Sequence, residues 1–411
     1  AVEGFWDGGQ TFCARFAPIA AGKWVWSSKS NDAGLNAKQG QLLCSGALPP
    51  SHISARGHVH QAVISLRTLA HSAGGPFFLA GDMQPSFRTQ ALSTRNDFET
   101  YLAARAQQGF NFFYGMSYSA SGVEAQAGEL NAAFYEGDSY RLNPVFWQSL
   151  DQRLAMLNQR GFVAGLPLRP AEMQAAPAEQ VTRFVQYLVN RYAAFNVIWV
   201  AAPEEEMETL SNGSAEFAAL LAANDPYHHP FLKLESETEE DLPASSRTTT
   251  RPTLRAVIDA PEPRDDEAAR KAVWRTVMAG GFCVYQEGNL MNQPTISGDM
   301  PQAEGAHVMT TLREFWNNDS HYEIRWWEFT TFVPLGNRRW LAGNPGVEYV
   351  IYAASGSGFK VDLSEAAGQI QGQWFNTKTG LWSTFFSGEA GSAVALKPPA
   401  EECVAYLLVK R

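Results

Sequence analysis

Three consecutive glutamates, Glu204, Glu205 and Glu206, follow the run FNVIWVAAP at residues 195–203. Other carboxylates close other apolar runs. Asp82 follows PFFLAG, Glu235 and Glu237 follow FLKL, Asp259 and Glu262 follow LRAVI, and Glu287 follows FCVYQ. Tyr114, Ser117, Tyr118, Arg169, Tyr285 and Gln286 stand at comparable positions. Acids and aromatic rings without metal-ligand spacing suit cleavage of a glycosidic bond. That reaction needs one carboxylic acid to protonate the leaving oxygen and a second carboxylate on the other side of the sugar. No H-E-x-x-H or G-x-S-x-G motif offers a competing chemistry. His228 and His229 are adjacent and would point to opposite faces of an extended segment, which favours a turn or surface role over a zinc pair. The chemistry calls for no metal or cofactor.

Such residues act together only if the chain gathers them. From residue 76 onward, short apolar runs alternate with amphipathic helical stretches. Thr94 is a suitable N-cap ahead of Asp97, and Phe98, Leu102 and Ala106 then recur at helical spacing. Phe146, Leu150, Leu154 and Leu157 form a second stripe. Apolar strands between such helices predict a parallel sheet, and eight units over residues 76–318 predict a (β/α)8 barrel. Residues 236–252 are ambiguous, with a degenerate strand expected around SSRTTT. An open doubly wound sheet is the alternative, disfavoured because no Gly-rich loop follows a strand. In a barrel the active site lies at the C-terminal ends of the strands, where the acids above fall.

The flanking segments read differently. Residues 1–72 carry short strand-like runs between Gly, Pro, Asn and Ser turns, and predict an N-terminal β-sandwich-like domain ahead of a barrel at 73–322. Residues 323–411 predict a C-terminal antiparallel β-sandwich. Trp326 and Trp327 are expected to pack between barrel and sandwich. Of the four cysteines, Cys13 and Cys44 could pair in an exported protein, whereas Cys283 reads as an inert core thiol. A net charge of −10 argues against a nucleic-acid partner. No apolar run reaches the ~20 residues of a membrane span. The start AVEGFWDGG lacks leader features, so a mature secreted or periplasmic protein is expected.

Trp199-Val200-Ala201-Ala202-Pro203-Glu204 resembles the W-x-x-A-N-E signature of retaining barrel glycosidases, with Pro203 in the Asn place. More widely, GGPFFLAGD, YLAARAQQGFNFF, NQRGFVAGLPL and RYAAFNVIWV resemble the apiosidase-like glycoside hydrolase barrel. The N-terminal VEGFWDGGQTFCARFAPIAAGKWVWSS is similar to the small β domain that often precedes that barrel. EYVIYAAS and WFNTKTG are similar to the sandwich that often follows it, described as putative collagen-binding. The resemblance implies a hydrolase acting on a poly- or oligosaccharide. It also implies that Asp82 binds substrate, that Glu204 stands for the Asp acid/base expected after strand 4, and that Glu262 in APEP is the nucleophile. Tyr114, Tyr118, Arg169, Tyr285 and Glu287 complete the expected substrate-binding set.

Each assignment competes with a plainer reading. Glu204 to Glu206 also suit a solvated first helical turn, and Glu262 a rim position in a Pro-rich loop. Asp259, Glu205 and Glu287 are alternatives to the named pair. A non-catalytic carbohydrate- or matrix-binding protein on a barrel scaffold is the rival function. A lyase would want a cationic cluster that this rim lacks.

Overall fold

A computed structural model describes the chain except at residues 47, 63–67, 85–86, 88–91, 93, 116, 119–132, 136–137, 170–172, 174–175, 202–213, 236–252, 259–265, 287–303, 318–322 and 411. The N-terminal segment makes two separate hairpin-like pairs, β1 (Phe5–Trp6) with β2 (Phe12–Cys13), and β3 (Gly22–Ser27) with β4 (Gln39–Cys44). A three-stranded sheet follows, of β5 (Val59–Gln61), β6 (Leu69–His71) and β7 (Pro76–Phe77). The expected N-terminal sandwich is therefore not what the described residues form. Phe5, Ile53, Val59 and Leu69 bury themselves in the same cluster as the barrel, because strands this short cannot enclose a core of their own. Cys13 and Cys44 do not pair, and none of the four cysteines is in a disulfide.

Seven parallel strands then close into a ring: β8 (Ala80–Gln84), β9 (Phe112–Gly115), β12 (Val163–Pro167), β13 (Val197–Ala201), β14 (Phe231–Glu235), β15 (Thr253–Ile258) and β16 (Phe282–Gln286), with a hairpin of β10 (Phe134–Tyr135) and β11 (Asp138–Leu142) after β9. Among the described residues the ring has seven strands where eight are expected. β14 pairs directly with β15, Lys233 opposite Thr253, and β16 pairs back to β8. The strand expected around SSRTTT lies outside the described residues.

Six described helices lie between and after these strands: α1 (Arg95–Gln107), α2 (Pro144–Gln159), α3 (Ala178–Tyr192), α4 (Ser214–Asn224), α5 (Asp266–Met278) and α6 (Glu304–Trp316). Thr94 caps α1 by accepting from the Asp97 amide, as its sequence indicates. The face α1 buries is Phe98, Tyr101, Leu102 and Arg105, whereas Ala106 is exposed. The α2 stripe of Phe146, Leu150, Leu154 and Leu157 is fully buried.

Asparagines pin the N-terminal rim of the ring. Asn111 accepts from the Ala80 amide at 2.9 Å and donates to the Phe78 carbonyl at 2.8 Å. Asn196 accepts from Val59 at 2.9 Å and donates to the Gly57 carbonyl at 3.1 Å, which docks the small β5–β6–β7 sheet on that face.

The C-terminal region is antiparallel. Strands β17 (Thr331–Gly336), β18 (Arg339–Asn344), β19 (Glu348–Ala353), β21 (Gln369–Asn376), β22 (Phe386–Glu389) and β24 (Cys403–Lys410) form one sheet, covered on one face by β20 (Phe359–Asp362) and β23 (Ala393–Leu396). β19 alternates between two cores. Tyr349, Ile351 and Ala353 face the sandwich interior, while Val350 and Tyr352 join the barrel's cluster. Trp326 is buried edge-on to Phe78 at 5.3 Å, a packing role for that ring.

Candidate active site

The alternation of each strand decides which side chains reach the barrel interior. A Cβ on Gly81 would stand 2.3 Å from Val284 Cγ1 and 3.0 Å from Phe112 Cδ1, and one on Gly165 would stand 2.4 Å from Phe112 Cζ. Gly81, Gly165, Phe112 and Val284 therefore share the interior, and Met83, Tyr114 and Gln286, two residues further along their strands, face the same way at the mouth. The residues between them turn outward to the helices.

Asp82 is one of those. Its carboxylate lies against α1, where it accepts from the Tyr101 hydroxyl at 2.6 Å and stands 3.4 Å from Arg105 Nε. Gln84, also outward, donates to Tyr101 at 2.6 Å, and Arg105 Nε donates to the same oxygen at 3.0 Å. All four side chains are buried. Burial holds the Tyr101 hydroxyl far above its usual range, with Arg105 opposing and Asp82 reinforcing, so Tyr101 stays a donor. The expectation that Asp82 points into the barrel mouth is corrected. It ties strand to helix.

Two of the expected sugar-facing rings are corrected for the same reason. Tyr118 is fully buried between α2 and α3, stacked on Phe87 at 5.7 Å and beside Trp147 at 5.1 Å, and its hydroxyl donates to the Pro167 carbonyl at 3.0 Å. Tyr285 alternates outward with Cys283, whose thiol reaches the Val273 carbonyl of α5, and its ring meets Phe110 at 6.4 Å. Arg169 stays at the C-terminal rim, directly after β12, and donates from Nε to the Met173 carbonyl at 3.3 Å.

Tyr114 and Gln286 are the polar side chains that the described strand ends turn inward. Gln286 is 2% exposed, and its Nε2 meets no acceptor among the described residues. The sequence placed Gln286 among the rim residues without a role; strand parity is the signal that singles it out. Glu204 and Glu262, with Glu287, Asp259 and Glu205, lie outside the described residues.

At the opposite end of the ring, Asp225 gathers Trp199 Nε1 at 2.9 Å, His229 Nδ1 at 3.0 Å and the Tyr227 amide at 3.0 Å. Burial opposes its charge, but the hydrogen bonds from His229 and Trp199 hold Asp225 down to about 2. His228 takes a positive φ of 55° in this turn, so the histidine pair serves a tight connection between α4 and β14.

Among the described residues no helix is long and apolar enough to cross a membrane. Residues 65–249 match the model of the apiosidase-like catalytic domain, and residues 1–31 match a domain of unknown function, DUF5060. No curated protein sequence matches the chain. A solved glycoside hydrolase superposes with a TM-score of 0.63 at 14% identity, over 87% of this chain and 98% of that one. A glycoside hydrolase family 5 structure from Bacteroides vulgatus ATCC 8482 gives 0.62 at 14% identity, over 87% and 94%. At that identity the likeness is one of fold.

Proposed function

We propose that this chain, a glycoside hydrolase by its apiosidase-like catalytic domain, cleaves a poly- or oligosaccharide with retention, using Glu204 as acid/base and Glu262 as nucleophile. Ring order carries the reading. β13 ends at Ala201, just before Glu204, and β15 ends at Ile258, just before Glu262, with only β14 between them. Adjacent strands stand ~4.8 Å apart, so these two ends are ~10 Å apart. A span of that size is within what two glutamate side chains can bridge to the ~5 Å carboxyl separation that retention requires, which supports the pairing.

The steps follow from that pair. Glu204, protonated, hands its proton to the glycosidic oxygen while the Glu262 carboxylate attacks the anomeric carbon and the leaving alcohol departs. Glu204, now a carboxylate, removes a proton from the incoming water, which displaces Glu262 and frees the sugar. Tyr114, turned inward two strands from β16, offers a ring and hydroxyl to the bound sugar, and Arg169 and Glu287 serve as rim contacts.

Glu204→Gln with an activated aryl glycoside is the test. Loss of the general base should slow turnover by roughly 10²–10⁴-fold; turnover within tenfold of the parent protein would make the assignment wrong.

A further inference from the structure

We infer that Gln286 recognises a sugar hydroxyl at the floor of the barrel mouth, its amide N–H groups left without an acceptor among the described residues so that the substrate supplies one. This rests on the hydrolase reading and names the group that reads the bound sugar.

The contrast with other buried amides carries the inference. Asn158 and Asn196 each donate to backbone carbonyls, Gln84 donates to Tyr101, and Gln373 donates to the Ser383 carbonyl. Gln286 Nε2 is as enclosed as these and donates to nothing among the described residues. A buried donor left unmatched destabilises the fold. A side chain serving only to fill the space could be Met or Leu without that penalty. In the interior row Gln286 stands beside the apolar Met83, which follows Asp82 and Gly81 on β8, and its backbone register partner on β15 is Ile258. Tyr114 comes next, paired with Met83.

The amide therefore stands beside an apolar side chain at the strand ends, in the row where a barrel holds its substrate. A neutral donor of this kind suits a hydroxyl or ring oxygen, whereas a cation would need acceptors and an anion would call for a charged or multiple-donor partner. A hydroxyl also donates, so one sugar OH can accept from Nε2 and pass its own proton to a neighbour. Sites that hydrogen-bond a substrate hydroxyl reject substrates lacking it far more strongly than apolar pockets discriminate by size.

The test compares the parent protein with Gln286→Met, which keeps the length and removes the amide, and Gln286→Asn, which keeps the amide and draws it back. Melting temperature, glycan affinity by calorimetry and sugar release from a panel of polysaccharides are measured for each. Gln286→Met should melt about 2–4 °C higher while kcat/KM and affinity fall roughly tenfold. Gln286→Asn should lose activity with no gain in melting temperature. A Met variant that melts no higher shows the amide already satisfied and overturns the inference, as does one that keeps activity and affinity within twofold. If the parent protein releases no sugar yet binds glycan, the hydrolase reading falls alone, and weaker binding by the Met variant still upholds the amide's role. If it does neither, both fall.

Discussion

The Tyr101 hydroxyl meets the Asp82 carboxylate at 2.6 Å across the seam between α1 and β8. That contact, with Arg105 behind it, takes Asp82 out of the mouth of the barrel. Asp82→Asn should therefore act on stability. It leaves the buried Arg105 guanidinium short of its counter-charge, a loss of roughly 3–5 kcal/mol. Tyr101→Phe removes one charge-assisted hydrogen bond and should lose about 1.5–3 kcal/mol. Urea titration measures both losses. KM of whatever remains folded should stay within about twofold of the parent value, and a KM raised tenfold with stability intact would return Asp82 to the substrate.

The interior of the ring gives a second expectation. Ring diameter grows with strand number, and eight strands leave room just sufficient for side chains. Seven leave less, which explains why Gly81 and Gly165 flank the Phe112 ring. Gly81→Ala would bring its methyl 2.3 Å from Val284 Cγ1 and 3.0 Å from the Cys283 carbonyl, and should destabilise by about 1–3 kcal/mol. Adding Val284→Ala should make the pair less destabilised than the sum of the two single changes. Strict additivity would show that the strands simply move apart.

Much of this was readable in the chain itself, and the limits are physical. Period and length mark the parallel strands and the α2 stripe, because burial on one face leaves a repeat. Ring closure leaves none: whether β14 pairs with β15 or with a strand between them depends on register far from either sequence. The direction of Asp82 was missed for a related reason. A carboxylate ending an apolar strand looks aimed at the mouth until Tyr101 and Arg105, on the buried face of α1, are counted as its partners. Nothing in the spacing of Phe98 and Leu102 marks those two as its partners. The N-terminal strands alternate well enough to suggest a sandwich, yet the residues they bury, Phe5 and Val59, are spent on the barrel.

Acid should loosen the N-terminal face before the rest. Burial and then the neighbouring His229 push His58 down to about 4, with Asp225 opposing, and burial then Arg56 push His71 down to about 4. Both folded values lie below the ~6.5 of an unfolded histidine. The unfolded chain thus takes up protons that the folded one refuses, and stability falls as pH drops from ~6.5 to ~4, by roughly 2 kcal/mol for each group. Asp225 works lower. Its folded value near 2 adds stability that is present above ~4 and lost below it. Melting curves between pH 7 and 4.5 should show the decline, and His58→Phe should flatten it; an unchanged slope would remove His58 from the account.

The barrel and the C-terminal sandwich should unfold as one body. Glu402 is 5% exposed and accepts from Arg270 of α5, with Lys271 3.6 Å from its other oxygen. Beside this pair, Trp274 of α5 stacks on Tyr352 of β19 at 5.9 Å and 24°, and Phe315 of α6 packs on Phe375 at 5.2 Å. Charge alone would not weld two domains, since an ion pair taken out of water regains little beyond its desolvation. The rings supply the attraction, and the pair fixes their register. Glu402→Gln strands Arg270 in an apolar seam and should lower unfolding free energy by about 3 kcal/mol. Trp274→Ala removes the central ring and should lose about 3–5 kcal/mol. In both variants the urea transition should remain single, because either domain alone would expose Trp274, Phe315 and Tyr352 to water. Limited proteolysis separates this from looser docking. A stable fragment ending before Thr331, released from the parent protein, would show that the barrel stands without the sandwich and that the seam is an accessory contact.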